Sequence, residues 1–275
     1  MRSVARILLY WLCPAPRLVC SHDHLVRRSP PRAPHRRHLD PHRLDPEPQY
    51  APVGSDEWPA SIPAVGQILR DGLDLPAGVT LLVGENGSGK STIVEAVAMA
   101  FGLAPEGGTR NVSTGSRETE SPLNRWISLE RPGGAPRWGF FLRAETMHGY
   151  FTRQEDYALA GDPQYHEMSH GESFLELLRT RFDSPGLYCL DEPEAALSFG
   201  AQIALVATLH ELAASGAQAL CATHSPLVAA LPGAHILEVG PWGLRDAKWE
   251  DLDLVMHWRS YLESPMRYLH HVIDD

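Results

Sequence analysis

The feature that most constrains the fold of this chain is a glycine-rich loop between a short apolar run and a helical pattern. The loop, GENGSGKST at residues 84–92, fits the pattern G-x-x-x-x-G-K-[ST] at every position. Residues 79–83 before it are apolar and β-rich, and residues 92–101 after it repeat apolar side chains at helical spacing. A phosphate-binding loop requires a strand, a loop and a helix in this order, so a chance match is a poor explanation.

The residue types in this phosphate loop each have a chemical reason. Glycines let the backbone curl so that successive N–H groups point at phosphate oxygens, and the following helix offers its positive N-terminal end to the same anion. Lys90 can reach the β- and γ-phosphates, and the Ser91 hydroxyl can ligate Mg²⁺. The loop therefore predicts binding of a nucleoside triphosphate by Gly84, Glu85, Asn86, Gly87, Ser88, Gly89, Lys90, Ser91 and Thr92.

A second signal is a pair of adjacent carboxylates at the end of a predicted buried strand. Residues 187–190 (LYCL) are apolar, and Asp191 and Glu192 follow them directly. At the carboxyl end of a strand, the first carboxylate can hold Mg²⁺ while the second faces the γ-phosphate and polarises a water. The simpler alternative is that the pair caps the following helix. The motifs that follow favour the catalytic interpretation, with Asp191 as metal ligand and Glu192 as catalytic base.

The rest of the chain alternates short apolar strands with helical patterns. This alternation predicts an α/β domain with a mainly parallel sheet. On one predicted helix, the stripe formed by Leu205, Leu209 and Leu212 is most simply explained as core. The predicted strands are residues 79–83, 126–129, 138–142, 187–190, 218–222 and 235–239, and the predicted helices are residues 92–101, 173–182 and 202–214.

Composition divides the chain near residue 49. Residues 1–50 contain nine arginines and four acidic residues, whereas residues 51–275 contain 15 basic and 30 acidic ones. The Pro-, Arg- and His-rich first part cannot bury enough apolar surface to offset its ordering entropy, which predicts disorder for residues 1–48. A short apolar run near the N-terminus permits an export signal, but no cleavage site follows it. We expect one folded domain over residues 49–275, with a signature region of about residues 150–183 inserted.

Charge, hydropathy and cysteine usage limit the classes of protein. The formal net charge of −10 argues against non-specific nucleic-acid binding across the whole surface, although it leaves room for a local basic groove. No apolar run approaches the roughly 18 residues of a membrane helix, so an integral membrane protein is not expected. The four cysteines include no CxxC pair and no zinc spacing, which is typical of a reduced, cytoplasmic chain.

Three further motifs follow in the order found in ABC-type ATPases. Residues 169–173 (SHGES) resemble the ABC signature, residues 195–198 (AALS) resemble the loop after the Walker B strand, and residues 222–225 (ATHS) resemble the switch-histidine loop. The phosphate loop and the carboxylate pair are then the Walker A and Walker B motifs. The resemblance implies that His224 contacts the γ-phosphate, and that the nucleotide of a partner subunit is contacted by Ser169, Gly171 and Glu172.

A closer resemblance covers about residues 55–275. The runs DEPEAALS at residues 191–198, SHGESF at residues 169–174 and THSP at residues 223–226 are similar to those of small, stand-alone predicted ATPases of bacteria, the AAA_21-like group. That group is related to the ABC ATPases of SMC-like and RecF-like repair proteins and of the overcoming-lysogenization-defect nucleases. The resemblance implies an ABC-type P-loop fold, with a mainly parallel central sheet, an antiparallel β subdomain and a helical signature region.

Two departures from the family pattern affect the predicted site. The signature has His170-Gly171-Glu172 in place of two glycines and a glutamine, and no clear Q-loop glutamine follows the phosphate loop. Glu145, at the end of the run FFLRAE, is the best positional substitute for that metal-linked glutamine. A surface carboxylate at a strand end is an equally good interpretation of Glu145. Trp58 is a candidate for adenine stacking, although a core or linker position is favoured for it.

These motifs predict an ATP hydrolase that uses Mg²⁺ and acts as a nucleotide-sandwich homodimer. ATP binding would close the dimer and hydrolysis would open it, as a switch or motor in DNA repair or defence, with DNA or protein as cargo. The catalytic residues would be Glu192, His224 and Lys90, and the metal ligands Ser91, Asp191 and Glu145. The alternatives are an ATPase subunit that energises a membrane transporter and a nucleotide-switched protein-binding module with slow turnover.

Overall fold

A computed structural model describes the chain at residues 5–9, 54–105, 107–109, 121–131, 135–146, 170–182, 184–195 and 197–273. The strands are β1 (Ala5–Leu9), β2 (Leu73–Leu75), β3 (Gly78–Gly84), β4 (Ile127–Glu130), β5 (Gly139–Arg143), β6 (Leu187–Asp191), β7 (Gln218–Thr223), β8 (His235–Gly240) and β9 (Gly243–Asp246). The α-helices are α1 (Pro63–Asp71), α2 (Lys90–Phe101), α3 (His170–Arg181), α4 (Phe199–Ala214), α5 (Pro226–Ala229), α6 (Asp253–Glu263) and α7 (Met266–Ile273). Short 3₁₀ turns lie at Pro122–Arg125, Ala144–Thr146 and Trp249–Asp251.

Six strands form the main sheet in the order β5-β6-β7-β3-β8-β9. Five of them run parallel, and β9 pairs antiparallel with β8 at one edge. The register pairs Val83 with Thr223 and Asp191 with Ala222, so β3, β7 and β6 all end at the same edge of the sheet. The predicted α/β fold with a mainly parallel sheet is confirmed.

Apolar side chains are buried on both faces of this sheet. Because successive residues of a strand point to opposite faces, Leu81 and Leu82 belong to two different core clusters. The cluster that contains Leu82 packs against α1 and α2, whereas the cluster that contains Leu81 packs against α3, α4 and α6. Burial on both faces explains why these strands are continuous apolar runs. The predicted core stripe is confirmed, since at most 2% of each of its side chains is exposed: Leu205, Leu209 and Leu212.

A small second sheet includes a strand from the N-terminal part of the chain. Its order is β2-β1-β4, and β1 pairs parallel with both neighbours. Ile7 of β1 is 1% exposed and packs with Val65 and Val97 in the core cluster next to α1 and α2. For residues 5–9 the structure therefore differs from the predicted disorder, because two rows of backbone hydrogen bonds and a buried isoleucine offset the ordering entropy.

The described residues contain little antiparallel pairing, less than the predicted antiparallel β subdomain would have. Within the described ranges, it comprises β8 with β9 and an isolated bridge between Gly108 and Phe141. Both lie toward the edges of the main sheet, and the small sheet is parallel. Among the described residues, antiparallel pairing therefore occurs only within the main sheet or directly against it.

Local sequence explains where the helices begin. The predicted strand ends agree with the structure to within one residue, whereas the helices begin two or three residues earlier than predicted. Helix α2 begins at Lys90, directly after Gly89, which has a left-handed backbone with φ of 100°. Helix α4 begins at Phe199 because the Ser198 hydroxyl accepts a hydrogen bond from the backbone N–H of Ala201 at 3.4 Å. Among the described helices, none is both long and apolar enough to cross a membrane.

Candidate nucleotide-binding site

Three loops meet at the edge of the sheet where β3, β6 and β7 end. They are the phosphate loop after β3, the carboxylate pair at the end of β6 and the histidine loop (residues 222–225) at the end of β7. Since β7 lies between β6 and β3, His224 follows the strand in the middle of this group. The three motifs predicted from the sequence are therefore brought together by strand order.

Glycine is required at two positions of the phosphate loop for different reasons. Gly89 has a left-handed backbone with φ of 100°, which side chains with a Cβ rarely adopt. At Gly84, an added Cβ would overlap the carbonyl oxygen of Val239 on the neighbouring strand β8. Gly89 thus permits the turn into α2, and Gly84 permits close packing of the loop on the sheet.

Lys90 is held inside the phosphate loop. Its side chain is buried, with 3% of the residue exposed, and Nζ donates hydrogen bonds of 2.8 Å to the carbonyl oxygens of Gly84 and Glu85. Burial lowers the pKa of Lys90, and the carboxylates of Glu192 and Asp191 oppose that shift. The loop carbonyls therefore stabilise the ammonium at the place where the motif calls for a phosphate.

Asp191 lies beside Ser91, as a shared metal site requires. Burial raises the pKa of Asp191, whereas its hydrogen bond with the Ser91 hydroxyl and the nearby Arg143 lower it. Oδ1 of Asp191 is buried and has no hydrogen-bond partner among the described residues. A hydroxyl next to a carboxylate oxygen that still needs a partner suits Mg²⁺, a hard cation that prefers oxygen ligands. Ser91 and Asp191 therefore fit the metal.

Arg143 joins the predicted metal site to the core and was not singled out from the sequence. It pairs with Asp191 in the register of β5 and β6, and its Nε lies 3.4 Å from Oδ2 of Asp191. Its Nη1 donates to Oε2 of Glu95 on α2 at 2.8 Å. Glu145 has a side chain that is 84% exposed, and its Oε2 lies 3.8 Å from Nε of Arg143. The guanidinium thus contacts three carboxylates around the site.

Glu192 and His224 face each other across the ends of β6 and β7. The Glu192 backbone has φ of 49°, an uncommon value for a residue with a side chain, and its N–H donates to the carbonyl of Ala222 at 3.0 Å. Nδ1 of His224 lies 3.4 Å from Oε1 of Glu192. Uncommon backbone conformations of this kind cluster at functional sites, where surrounding structure holds them in place.

A second carboxylate in this region, Glu194, was also missed by the sequence analysis. Only 5% of Glu194 is exposed, and its Oε1 accepts hydrogen bonds from Oγ1 of Thr223 at 2.6 Å and from the backbone N–H of His224 at 2.9 Å. The available sequence signal was a second glutamate between apolar residues in the run DEPEAAL. An acidic residue at such a buried position needs a partner, but the sequence does not identify it.

Two of the predicted signature residues lie on α3, which is not one of the three loops. Gly171 and Glu172 are on the first turn of α3, which packs on the face of the sheet opposite to α2 through Phe174 and Leu177. Ser169 lies outside the described residues. Trp58 is 57% exposed, in the segment before α1, which agrees with a linker position and excludes a core position.

Comparisons with known proteins agree with this arrangement. Residues 67–129 match a family model described as "AAA domain", and residues 162–230 match a model described as "AAA domain, putative AbiEii toxin, Type IV TA system". An uncharacterized ABC transporter ATP-binding protein of Haemophilus influenzae is 28% identical over 183 residues, which cover 58% of this chain and 68% of that protein. Together these matches support a P-loop ATPase of the ABC type.

The ATPase is also similar to a solved structure. The SMC head domain from Thermotoga maritima matches 63% of the ATPase and 90% of that chain, with 16% sequence identity and a TM-score of 0.36. The family resemblance and the ATPase class predicted from the sequence are confirmed by the family models and the Haemophilus relative. The roles of individual residues stay predictions.

Proposed function

We propose that the ATPase binds Mg-ATP at the edge of the sheet where β3, β6 and β7 end, and hydrolyses the terminal phosphoanhydride bond there. One observation carries this proposal: Asp191, beside Ser91, holds a buried oxygen that has no hydrogen-bond partner among the described residues, and Glu192 directly after it lies 3.4 Å from His224. Phosphoryl transfer to water needs a cradle for the phosphates, a metal and a base, and these residue types supply all three.

Each residue has a defined task in this proposal. Lys90 exchanges the carbonyls of Gly84 and Glu85 for phosphate oxygens, and the loop N–H groups bind the same anion. Ser91 and Asp191 would hold Mg²⁺, and a bound Mg²⁺ would supply positive charge that stabilises the phosphates. Glu192 accepts a proton from the attacking water.

His224 contacts the γ-phosphate, and its distance of 3.4 Å from Glu192 supports a shared target. The exposed carboxylate of Glu145 is an additional candidate metal ligand, because it lies near Arg143, which in turn lies near Asp191.

The second part of the proposal is an ATP-dependent homodimer. Ser169, Gly171 and Glu172 would bind the nucleotide held by the partner subunit, because α3 and α2 of one chain pack on opposite faces of its sheet. Phe199 is 69% exposed directly after residues 195–198, where a sandwich dimer would cover it. The γ-phosphate would favour the closed dimer and its loss would open it, as a population shift.

The cellular task follows from the family resemblance alone. We propose a switch or motor that acts on DNA or protein in repair or defence, because the motifs resemble those of SMC-like and RecF-like ATPases. A cytoplasmic location is part of this proposal and agrees with the free, buried thiols of Cys189 and Cys221. The name of the Haemophilus relative, an ABC transporter ATP-binding protein, favours one alternative, an ATPase subunit of a membrane transporter. Copurification with membranes would support that alternative, whereas salt-sensitive DNA binding in the ATP state would support the repair role.

The test is the solution mass and the ATPase activity of the full chain. Glu192→Gln should bind Mg-ATP without hydrolysing it and should change from a monomer to a dimer when Mg-ATP is added. Lys90→Ala should bind no ATP and stay a monomer, and EDTA should abolish wild-type hydrolysis. Glu211→Gln on the exposed side of α4 is the matched control, which should behave as wild type. A Glu192→Gln protein that binds ATP and remains a monomer would overturn the dimer, and full hydrolysis by that variant would overturn the role of Glu192.

A further inference from the structure

Glu194 is a buried carboxylate with an unusual set of partners. Its Oε1 accepts two hydrogen bonds, from the Thr223 hydroxyl at 2.6 Å and from the His224 backbone N–H at 2.9 Å. Both donors belong to the histidine loop at the end of the neighbouring strand, 29 and 30 residues further along the chain. Hydrogen bonds to an ionised acceptor are about twice as strong as neutral ones. The carboxylate therefore fixes the backbone at His224.

The same contacts continue into a closed ring of hydrogen bonds. The Thr223 hydroxyl accepts from the N–H of Ser225 at 3.0 Å, and the Ser225 hydroxyl donates to Oε1 of Gln202 at 2.7 Å. Nε2 of Gln202 donates to the carbonyl of Leu197 at 3.1 Å, and the N–H of Leu197 donates to the carbonyl of Glu194 at 2.9 Å. The ring ties the histidine loop to residues 194–197 through the first turn of α4.

Two carboxylates of one short segment therefore lie next to His224. Its backbone N–H is bonded to Glu194, and its ring Nδ1 lies 3.4 Å from Oε1 of Glu192, two residues earlier. Because the backbone of Glu192 is left-handed, the carboxylates of Glu192 and Glu194 can both reach His224. A shift of the His224 backbone would change the distance between its ring and Glu192.

We propose that Glu194 is a positioning residue that holds His224 against Glu192 and thereby sets the rate of hydrolysis. The proposal rests on the proposed function, in which His224 contacts the γ-phosphate. A glutamine cannot replace Glu194, because Oε2 is also buried and has no partner among the described residues. In Glu194→Gln, the amide N–H groups would lie either at the position of Oε2, where they have no acceptor, or against the two donors of the histidine loop.

The first measurement is hydrogen exchange at the His224 backbone N–H in the nucleotide-free full chain. Glu194→Gln and Glu194→Ala should accelerate this exchange about tenfold or more, the effect expected for loss of a hydrogen bond to a charged group. Thr223→Val removes the other donor to Glu194, keeps the side-chain shape, and should accelerate the same exchange. Thr208→Val, which removes a hydroxyl that donates to Ala204 on α4, is the matched control and should leave His224 unchanged. Unchanged exchange at His224 in Glu194→Ala would overturn the proposal.

The second measurement is a double-mutant cycle on ATP hydrolysis. Glu194→Gln should lower kcat about tenfold in the wild-type background, with the KM for ATP changed by less than about threefold, and should have no further effect in His224→Ala. An equal loss in both backgrounds would show that Glu194 acts without His224 and would overturn the proposal. If His224→Ala itself hydrolyses ATP at the wild-type rate, the role of His224 in the proposed function fails instead. If His224→Ala is inactive, the exchange measurement alone decides the role of Glu194.

Discussion

Two glycines of the phosphate loop provide a controlled test of the packing between this loop and α1. Gly87 and Gly89 both have a positive φ, of 79° and 100°. An added Cβ at Gly87 meets no atom within 4 Å, whereas an added Cβ at Gly89 would lie 2.7 Å from Cγ2 of Ile62, the residue that precedes α1. The two substitutions by alanine thus share the backbone strain and differ in one steric contact.

The expected costs follow from these two terms. Left-handed strain costs about 1–2 kcal/mol in an L-residue, and the smaller entropy of the unfolded chain returns about 0.4–1 kcal/mol. Gly87→Ala should therefore lower the free energy of unfolding by about 0.5–1 kcal/mol. Gly89→Ala should lower it by about 1.5–4 kcal/mol, since overpacking against Ile62 adds about 1–3 kcal/mol.

Urea-induced unfolding of the nucleotide-free full chain, followed by tryptophan fluorescence, measures both costs. Ile62→Ala removes Cγ2, so the double variant with Gly89→Ala should be about 1–3 kcal/mol more stable than the sum of the two single costs predicts. In the Gly87→Ala background, the effects of the two substitutions should add to within about 0.5 kcal/mol. Equal costs at Gly87 and Gly89, or additive behaviour of Gly89→Ala with Ile62→Ala, would refute the reasoning.

The same unfolding assay tests the other buried groups of the sheet. Burial raises the pKa of the Cys189 and Cys221 thiols above their ordinary value of 9.0, so these thiols ionise only in the unfolded state. The free energy of unfolding should then fall above pH 9 by about 1.4 kcal/mol per pH unit for each thiol. This free energy should fall less steeply with pH in Cys189→Ala than in wild type, and identical slopes in the two proteins would contradict the prediction. Arg143→Met leaves the Glu95 and Asp191 carboxylates without their cation and should lower the free energy of unfolding by about 1–3 kcal/mol. Adding Glu95→Met should recover most of this loss, and a double variant no more stable than Arg143→Met would count against the ion pair. Leu209→Ala in the core should cost about 2–5 kcal/mol, and a loss below about 1 kcal/mol would mean that the site collapses around the smaller side chain.

Sequence periodicity was sufficient for six of the described strands but not for β1, β2 and β9. Strands β3, β6 and β7 are buried on both faces, so their residues form apolar runs that differ clearly from the surrounding loops. Strand β1 lies in a short apolar run directly before a stretch rich in proline and arginine, and only its pairing with β2 and β4 shows that it is a strand. Local composition there indicates disorder, and tertiary contacts decide the outcome.

The candidate site divides in the same way. Lys90, Ser91, Asp191 and His224 lie in motifs whose spacing can be read along the chain. Glu194 and Arg143 acquire their partners only through the order of the strands: Glu194 contacts Thr223, 29 residues away, and Arg143 contacts Glu95, 48 residues away. A single sequence without strand order contains no signal that joins these pairs.

The central position of β1 in the small sheet makes the N-terminus important for solubility. Strands β2 and β4 pair through β1, and β2 is three residues long. Removing residues 1–48 would expose the backbone N–H and C=O groups of two strand edges and the apolar contacts of Ile7. Unpaired edges of this kind recruit other chains and cause aggregation. A shortened protein that precipitates would therefore report a missing strand, and it would carry no information about the nucleotide-binding site.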